Sequence, residues 1–186
     1  MQNELLTKGN LLIAEPSLFE ENIFNRAVIL LTENNSTGCV GFIINKPSAF
    51  TLNDLIPEID ALYTVFIGGP VETDNLYFIH TVPELIPNSL EIENGIYWGG
   101  DFEKVVLLIK TNLLQRNQIR FFLGYSGWAV NQLETEIRSK SWITSPNIHQ
   151  NRLLSISAKN IWKEKIEAQG GEYLLFSNAP ENPNFN

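Results

Sequence analysis

Gly124-Tyr125-Ser126-Gly127 is the stretch whose residue types come nearest to catalytic chemistry, because a serine lies between glycines directly after the apolar run Ile119–Leu123. A serine in a tight strand-to-helix turn is the arrangement of a nucleophile elbow, although that pattern spaces its glycines as G-x-S-x-G. Its base would have to be His80 or His149, the two histidines of the chain. A hydrolase therefore stays an alternative beside a turn serine bonded to backbone, and we expect a non-enzymatic protein, with no catalytic residue assigned.

The residues after this turn have helical spacing from about Trp128 onward. An apolar stripe at i, i+3 and i+7 is formed by Val130, Leu133 and Ile137. A second face, at i, i+4 and i+8, carries Trp128, Gln132 and Glu136. The pattern predicts a strand, a tight turn and a helix with two distinct faces.

A second glycine corner, Gly68-Gly69-Pro70, follows the predicted strand Tyr63–Ile67. Backbone N–H groups at such a corner could bind an anion, but Pro70 lacks that donor and no Lys-Ser/Thr pair follows. The corner is thus no P-loop, and the choice between a weak anion nest and a bend between two strands stays open.

Metal and nucleic-acid chemistry are disfavoured by the composition. The two histidines lie about 70 positions apart and Cys39 sits in an apolar stretch, so we predict neither a metal site nor a cofactor. A net charge of −8 disfavours direct binding to nucleic acid. The short apolar runs predict no membrane span, and residues 1–8 show no secretory signal, so a cytoplasmic protein is expected.

The elements that must position these residues predict one domain over positions 1–186, with an irregular tail at 178–186. Two apolar runs around the polar loop 33–38 predict a hairpin, and Asp101 is a suitable N-cap for a following helix. A final helix ending near Gln169 and a last strand at Glu172–Phe176 are also expected. Adjacent strands with intervening helices favour an α+β fold with a mixed sheet.

Four segments, in this order and spacing, resemble the YqgE/AlgH family from Gly9 to about Phe176. They read GNLLIAEPSLFEENIFNRAVILL, GCVGFIINKP, IGGPVETDNLYFIH and GYSGWAVNQLETEI, the last followed by Trp142. The resemblance implies a complex α+β domain whose bifurcated, partly barrel-like sheet is surrounded by helices. It also implies a cytoplasmic protein of a family labelled as transcriptional regulators, without an established catalytic residue. Asn34 and Ser126 depart from the histidine and alanine that the family often has there.

The motif positions of the family suggest where a site would form. They fall on Asn45, Gly68, Gly69, Pro70, Gly124, Tyr125, Gly127, Trp128, Gln132, Leu133 and Glu136. We hypothesise that the two glycine corners, with Ser126 in the second, meet near Asn45 and form a concave ligand- or partner-binding patch. Tyr125 or Trp128 would be its amphipathic wall, and Gln132 and Glu136 its polar anchors.

The predicted function is accordingly a regulatory or binding module that acts through an unknown protein or small molecule, with transcriptional control as one role. A monomer or weak homodimer is expected. The open alternative is that the motif residues are architectural and form tight turns, close contacts and a buried amide that satisfies backbone groups.

Overall fold

The computed structural model of the protein describes residues 6–16 and 23–178. The strands are β1 (Leu11–Ala14), β2 (Val28–Asn35), β3 (Gly38–Ile43), β4 (Pro47–Thr51), β5 (Thr64–Ile67), β6 (Val71–His80), β7 (Leu90–Glu93), β8 (Ile96–Trp98), β9 (Ile119–Trp128) and β10 (Trp142–Ser145). The helices are α1 (Leu52–Leu55), α2 (Phe102–Lys110), α3 (Gln132–Arg138), α4 (Ile161–Glu167) and α5 (Tyr173–Ser177), with a 3₁₀ helix at Gln150–Ser155.

The strands form one forked sheet with β9 at its centre. The main path runs β10-β1-β2-β3-β9-β6-β8-β7, and β4 and β5 branch from it through β5, which pairs with β9. β5 runs parallel to the first half of β9, whereas β3 runs antiparallel to its second half. The predicted α+β fold with a mixed, bifurcated sheet is confirmed.

Curvature brings the ends of the sheet close together without closing it into a barrel. Lys8, just before β1, donates from Nζ to the carbonyl oxygen of Glu91 on β7 at 3.1 Å. The end strands β10 and β7 are not hydrogen-bonded neighbours. The barrel-like character expected from the resemblance is therefore limited to this curvature.

The predicted strand, turn and helix at Ile119–Trp142 is wrong in its middle part. Gly124 to Gly127 lie inside β9, which bends at Gly124 (φ +68°) and then continues along β3. Glycine tolerates this left-handed backbone, so the strand changes partners instead of ending. α3 begins only at Gln132, and Val130 is exposed instead of joining the stripe of Leu133 and Ile137.

The strand predicted at Glu172–Phe176 is also wrong, because this segment forms the short helix α5. Gly170 and Gly171 both have left-handed φ angles, 70° and 57°, which turn the chain back onto α4. There Ser177 Oγ donates to the carboxylate of Glu167, at 3.1 Å. Among the described residues, this segment takes part in no strand pairing. Positions 179–186 of the predicted tail lie outside the described residues.

Other predicted elements are confirmed, and some were missed. β2 and β3 form the expected hairpin, and the Asp101 side chain accepts a hydrogen bond from the backbone N–H of Lys104 as the N-cap of α2. The strands β4, β7 and β10 and the 3₁₀ helix were not predicted from the sequence.

Alternate residues of β9 connect the hydrophobic clusters of the domain, since successive side chains of a strand point to opposite faces. Phe122 packs inside the curve of the sheet with α4, and Phe121 packs on the other face with α2. Trp128, near the far end, packs with α3 and β10. β9 is thus the element around which the rest of the described chain is arranged.

Among the described residues, no helix combines the length and the apolar character that crossing a membrane requires.

Candidate functional site: glycine corners and a cationic pocket

The two glycine corners are in direct contact. The backbone N–H of Gly68 donates to the carbonyl of Leu123 at 2.8 Å, and its carbonyl accepts from Ile43 at 2.9 Å. A Cβ on Gly68 would lie closer than 3.0 Å to the Gly124 carbonyl oxygen, and one on Gly69 would overlap the carbonyl group of Tyr125. The glycines therefore permit two backbones to approach within a distance that any side chain would prevent.

Ser126 is buried in this contact and lies far from His80. Its Oγ donates to the Gly68 carbonyl oxygen at 3.1 Å, and the side chain has no exposed surface. His80 pairs with Ile119, seven positions before Ser126 along β9, which corresponds to about 20 Å of extended strand. Within the described residues Ser126 has no hydrogen bond to either histidine, so its geometry is that of a structural serine and not of an activated nucleophile.

The second face of α3 forms a closed hydrogen-bond network around Glu136. Its Oε2 accepts from the indole N–H groups of Trp128 and Trp142, both at 2.8 Å. Its Oε1 accepts from Gln132 Nε2 at 2.9 Å, while Gln132 Oε1 accepts from the backbone N–H of Ala129 at 2.9 Å. These polar groups hold α3 against β9 and β10.

A shallow depression of ≈ 280 Å³ lies beside the second corner. Its walls include Tyr125, Gly127 and Trp128 together with the hairpin residues Glu33, Asn35, Thr37, Gly38, Cys39 and Val40, and Val71 of β6. Gln132 and Glu136, the predicted polar anchors, do not line it, and neither do Gly68, Gly69 or the exposed Pro70. A ligand- or partner-binding role for these residues stays a prediction.

A second, larger pocket has a volume of ≈ 930 Å³, and of the predicted site residues Asn45 contributes to it. We call it the cationic pocket; its lining residues are Asn25, Arg26, Asn45, Lys46, Pro47, Ile67, Ser157, Ala158, Lys159, Asn160, Trp162, Lys163, Ser177 and Asn178. Asn45 accepts from the Val28 backbone at 2.8 Å and donates to the Arg26 carbonyl at 2.9 Å. Asn45 thereby fixes the turn that carries Arg26.

Among the described residues that line this pocket, four carry cationic side chains and none is acidic: Arg26, Lys46, Lys159 and Lys163. The guanidinium of Arg26 lies over the Trp162 ring at 4.9 Å. Lys163 contacts Glu167 at 3.7 Å and Asn178 Oδ1 at 3.1 Å, which offsets part of its charge. The described residues contain no group of three side chains suited to hold a metal ion.

The cluster of these cations was not predicted from the sequence, because they come from distant parts of the chain. Lys46 directly follows Asn45, and Lys159 and Lys163 have i, i+4 spacing, which is also the pattern of a solvated helix face. These side chains come together because the segment 157–163 packs beside the β3–β4 connection. A local sequence pattern contains no information about such packing.

The buried imidazole of His80 predicts an acid-sensitive fold. Burial lowers the pKa of His80 below its ordinary 6.5, against smaller opposing contributions from the Gly99 backbone and Glu84. The unfolded chain then binds more protons as the pH falls below about 6.5, so the free energy of unfolding decreases in this range. We expect urea denaturation between pH 7.5 and 5.5 to show this loss, and His80→Gln to show less of it.

His149 needs a separate control, because burial lowers its pKa as well, helped by Lys165. His149→Gln, on a partly exposed side chain, should leave most of the pH dependence in place. An unchanged pH profile in His80→Gln would contradict the assignment to His80.

Curated relatives match the chain over nearly its full length. A UPF0301 protein from Chlorobaculum parvum is 38% identical over 184 residues, covering 98% of this chain and 97% of the relative. A UPF0301 protein from Cytophaga hutchinsonii is also 38% identical over 184 residues, covering 98% of this chain and all of the relative.

Comparisons with solved structures and with a family model point to the same family as these relatives. The solution structure of the AlgH protein from Pseudomonas aeruginosa has a TM-score of 0.71 and 25% identity, covering 97% of this chain and 96% of that one. A crystal structure of a protein from Corynebacterium diphtheriae has a TM-score of 0.74 at 22% identity, covering 96% and 95%, and shows the same fold. The model of the AlgH-like family matches residues 11–174. The chain therefore belongs to the AlgH-like family, which confirms the resemblance found in its sequence.

Proposed function

We propose that this protein is a binding module that holds a small anionic ligand, carrying a phosphate or carboxylate group, in the cationic pocket. The observation that supports this most directly is the sign of the charge. The chain has 21 acidic and 13 basic residues, yet the described residues that line the pocket include four basic side chains and no acidic one. Such a local reversal of sign in a concave site attracts anions against the field of the whole molecule.

The pocket walls are held in place before any ligand arrives. Asn45 fixes the Arg26 turn, and Asn178 Nδ2 donates to the Leu174 carbonyl at 3.1 Å. Ser177 Oγ bonds to Glu167 and to the Leu174 carbonyl. A preformed site loses little conformational entropy on binding, so a modest number of charged contacts is enough for measurable affinity.

This proposal retains a small molecule as the predicted partner, but its binding site is the cationic pocket and not the patch predicted at the glycine corners. The structural contacts of Gly68, Ser126 and Gln132 support the architectural alternative for these motif residues, while the hydrolase alternative lacks a base beside Ser126. Regulation through an anionic small molecule is compatible with a role in transcriptional control. That role is still a prediction, since no described contact bears on it.

Charge reversal at the pocket tests the proposal. We expect Lys159→Glu to weaken the binding of inorganic phosphate about tenfold, because the change replaces an attraction by a repulsion at the same wall. Binding is measured by isothermal titration calorimetry at low ionic strength, where screening is weakest. Lys159 is exposed, so its replacement should leave the fold unchanged.

Lys140→Glu is the matched control, since it makes the same change of net charge at an exposed residue that does not line the pocket. Equal losses in the two variants would show a general charge effect and contradict the proposed site. Absence of phosphate and carboxylate binding by the unmodified protein would refute the proposed function itself.

A further inference from the structure

Arg120 is a buried arginine held by backbone carbonyl groups and by an aromatic ring. The side chain is 8% exposed. Nη1 donates to the Ile44 carbonyl at 2.7 Å, and Nη2 donates to the carbonyls of Leu154 at 2.9 Å and Ile156 at 3.5 Å. The guanidinium lies 4.6 Å from the centre of the Phe66 ring. It thus joins three segments that are distant in the sequence.

These contacts place the guanidinium directly behind the cationic pocket. Ile44 and Ile156 precede the lining residues Asn45 and Ser157, and Phe66 precedes the lining residue Ile67. Because a carbonyl oxygen and the next Cα are about 3 Å apart, the charge lies within roughly 6 Å of the pocket wall. Arg120 therefore holds three segments of the pocket wall together on the face of the wall that points into the protein interior.

The charge of Arg120 is not neutralised by a carboxylate among the described residues. The ion pairs within this part of the chain join Lys110 to Glu58 and Lys163 to Glu167. Burial lowers the pKa of Arg120 to about 10, so the group still carries its proton at neutral pH. Hydrogen bonds to neutral carbonyls leave the unit charge of a buried guanidinium in place, and the carbonyl dipoles offset part of its electrostatic potential.

We infer that Arg120 is a positioning residue of the cationic pocket whose buried positive charge makes the pocket prefer doubly charged anions to singly charged ones. This inference rests on the proposed function. A charge behind the wall stabilises a dianion twice as strongly as a monoanion in the same place, because the Coulomb energy is proportional to the ligand charge. The selected ligand class is a dianionic group such as a phosphate monoester or sulfate.

A pair of anions with similar shape and different charge separates this effect from a structural one. Sulfate carries two charges and methanesulfonate one, and both present oxygen atoms on a tetrahedral sulfur. The Coulomb energy contributed by Arg120 is twice as large for sulfate, so the fold-change in its dissociation constant is the square of that for methanesulfonate. If Arg120→Met weakens methanesulfonate binding about threefold, it should therefore weaken sulfate binding about tenfold. Calorimetry on the folded variants gives both dissociation constants, and Arg120→Lys, which keeps the charge, should retain the sulfate preference.

A structural role alone would predict equal losses for both anions in Arg120→Met, and this result would overturn the inference. Arg138→Met is the charge-matched control, since this exposed arginine of α3 does not line the pocket. Equal affinity of the unmodified protein for the two anions would also overturn the inference. Failure of the unmodified protein to bind any anion would instead refute the proposed function.

A second measurement, on the unmodified protein, tests the same inference without the variant Arg120→Met. If Arg120→Met does not fold, the side-chain Nε–Hε resonance of Arg120 in the unmodified protein is followed during a sulfate titration. We expect it to shift with the dissociation constant found by calorimetry, while the Arg138 resonance stays in place. A stationary Arg120 resonance during saturation would overturn the inference.

Discussion

Gly68→Ala should lower the free energy of unfolding by at least about 3 kcal/mol and the melting temperature by about 10 °C. The added Cβ would overlap the carbonyl oxygen of Gly124 and would lie 3.0 Å from side-chain atoms of Phe122 and Phe42. The backbone cannot shift to relieve this overlap without breaking hydrogen bonds, because the Gly68 N–H donates to Leu123 and the Gly68 carbonyl accepts from Ile43. Circular dichroism during heating measures the change.

Gly127→Ala is the matched control within the second corner. Its Cβ would meet a ring carbon of Tyr125 at 3.2 Å, and Gly127 itself is exposed. A ring edge can move where a backbone carbonyl cannot, and alanine restricts the unfolded chain, so we expect a change within about 1 kcal/mol. Equal stability of Gly68→Ala and the unmodified protein would show that the close contact between the corners does not determine the fold.

Glu136→Ala should cost about 2–4 kcal/mol of stability. The substitution leaves the indole N–H groups of Trp128 and Trp142 without their acceptor, and both side chains are buried, at 7% and 4% exposure. Gln132 loses the partner of its amide N–H group as well. Urea denaturation followed by tryptophan fluorescence reports both the stability and the environment of the two indoles.

A graded series tests the cause of this loss. Glu136→Gln keeps one oxygen for the indoles and should cost about half as much as Glu136→Ala. Glu134→Ala, on the same helix, removes a partly exposed carboxylate and should cost less than about 1 kcal/mol. Similar losses in Glu134→Ala and Glu136→Ala would assign the effect to the helix as a whole and not to the indole network.

Local patterns in the sequence predicted most of the elements whose cause is local. The β2–β3 hairpin follows from two apolar runs around a polar loop, and the start of α2 follows from the capping side chain of Asp101. The contact of the two glycine corners was also predicted. In the hairpin and at the start of α2, the residue type constrains the backbone at its own position. The contact of the corners joins distant positions and was inferred from the motif positions of the family.

Elements that depend on a distant partner were predicted less well. Gly124 was interpreted as the end of a strand, but β3 accepts the chain beyond it, so the strand continues to Trp128. Glu172–Phe176 has the composition of a strand, but it forms a helix that packs against α4. In both segments tertiary contacts outweighed the local preference.

By itself, the sequence determined the α+β class and the family, since apolar periodicity, turn chemistry and motif order are properties of the chain alone. The tertiary structure alone decided which charges meet. Arg26, Lys46, Lys159 and Lys163 converge on one pocket, with Arg120 behind its wall, although up to 137 positions separate them (163 − 26). Electrostatic potential depends on distance in space, and separation along the chain does not report that distance once a forked sheet has folded.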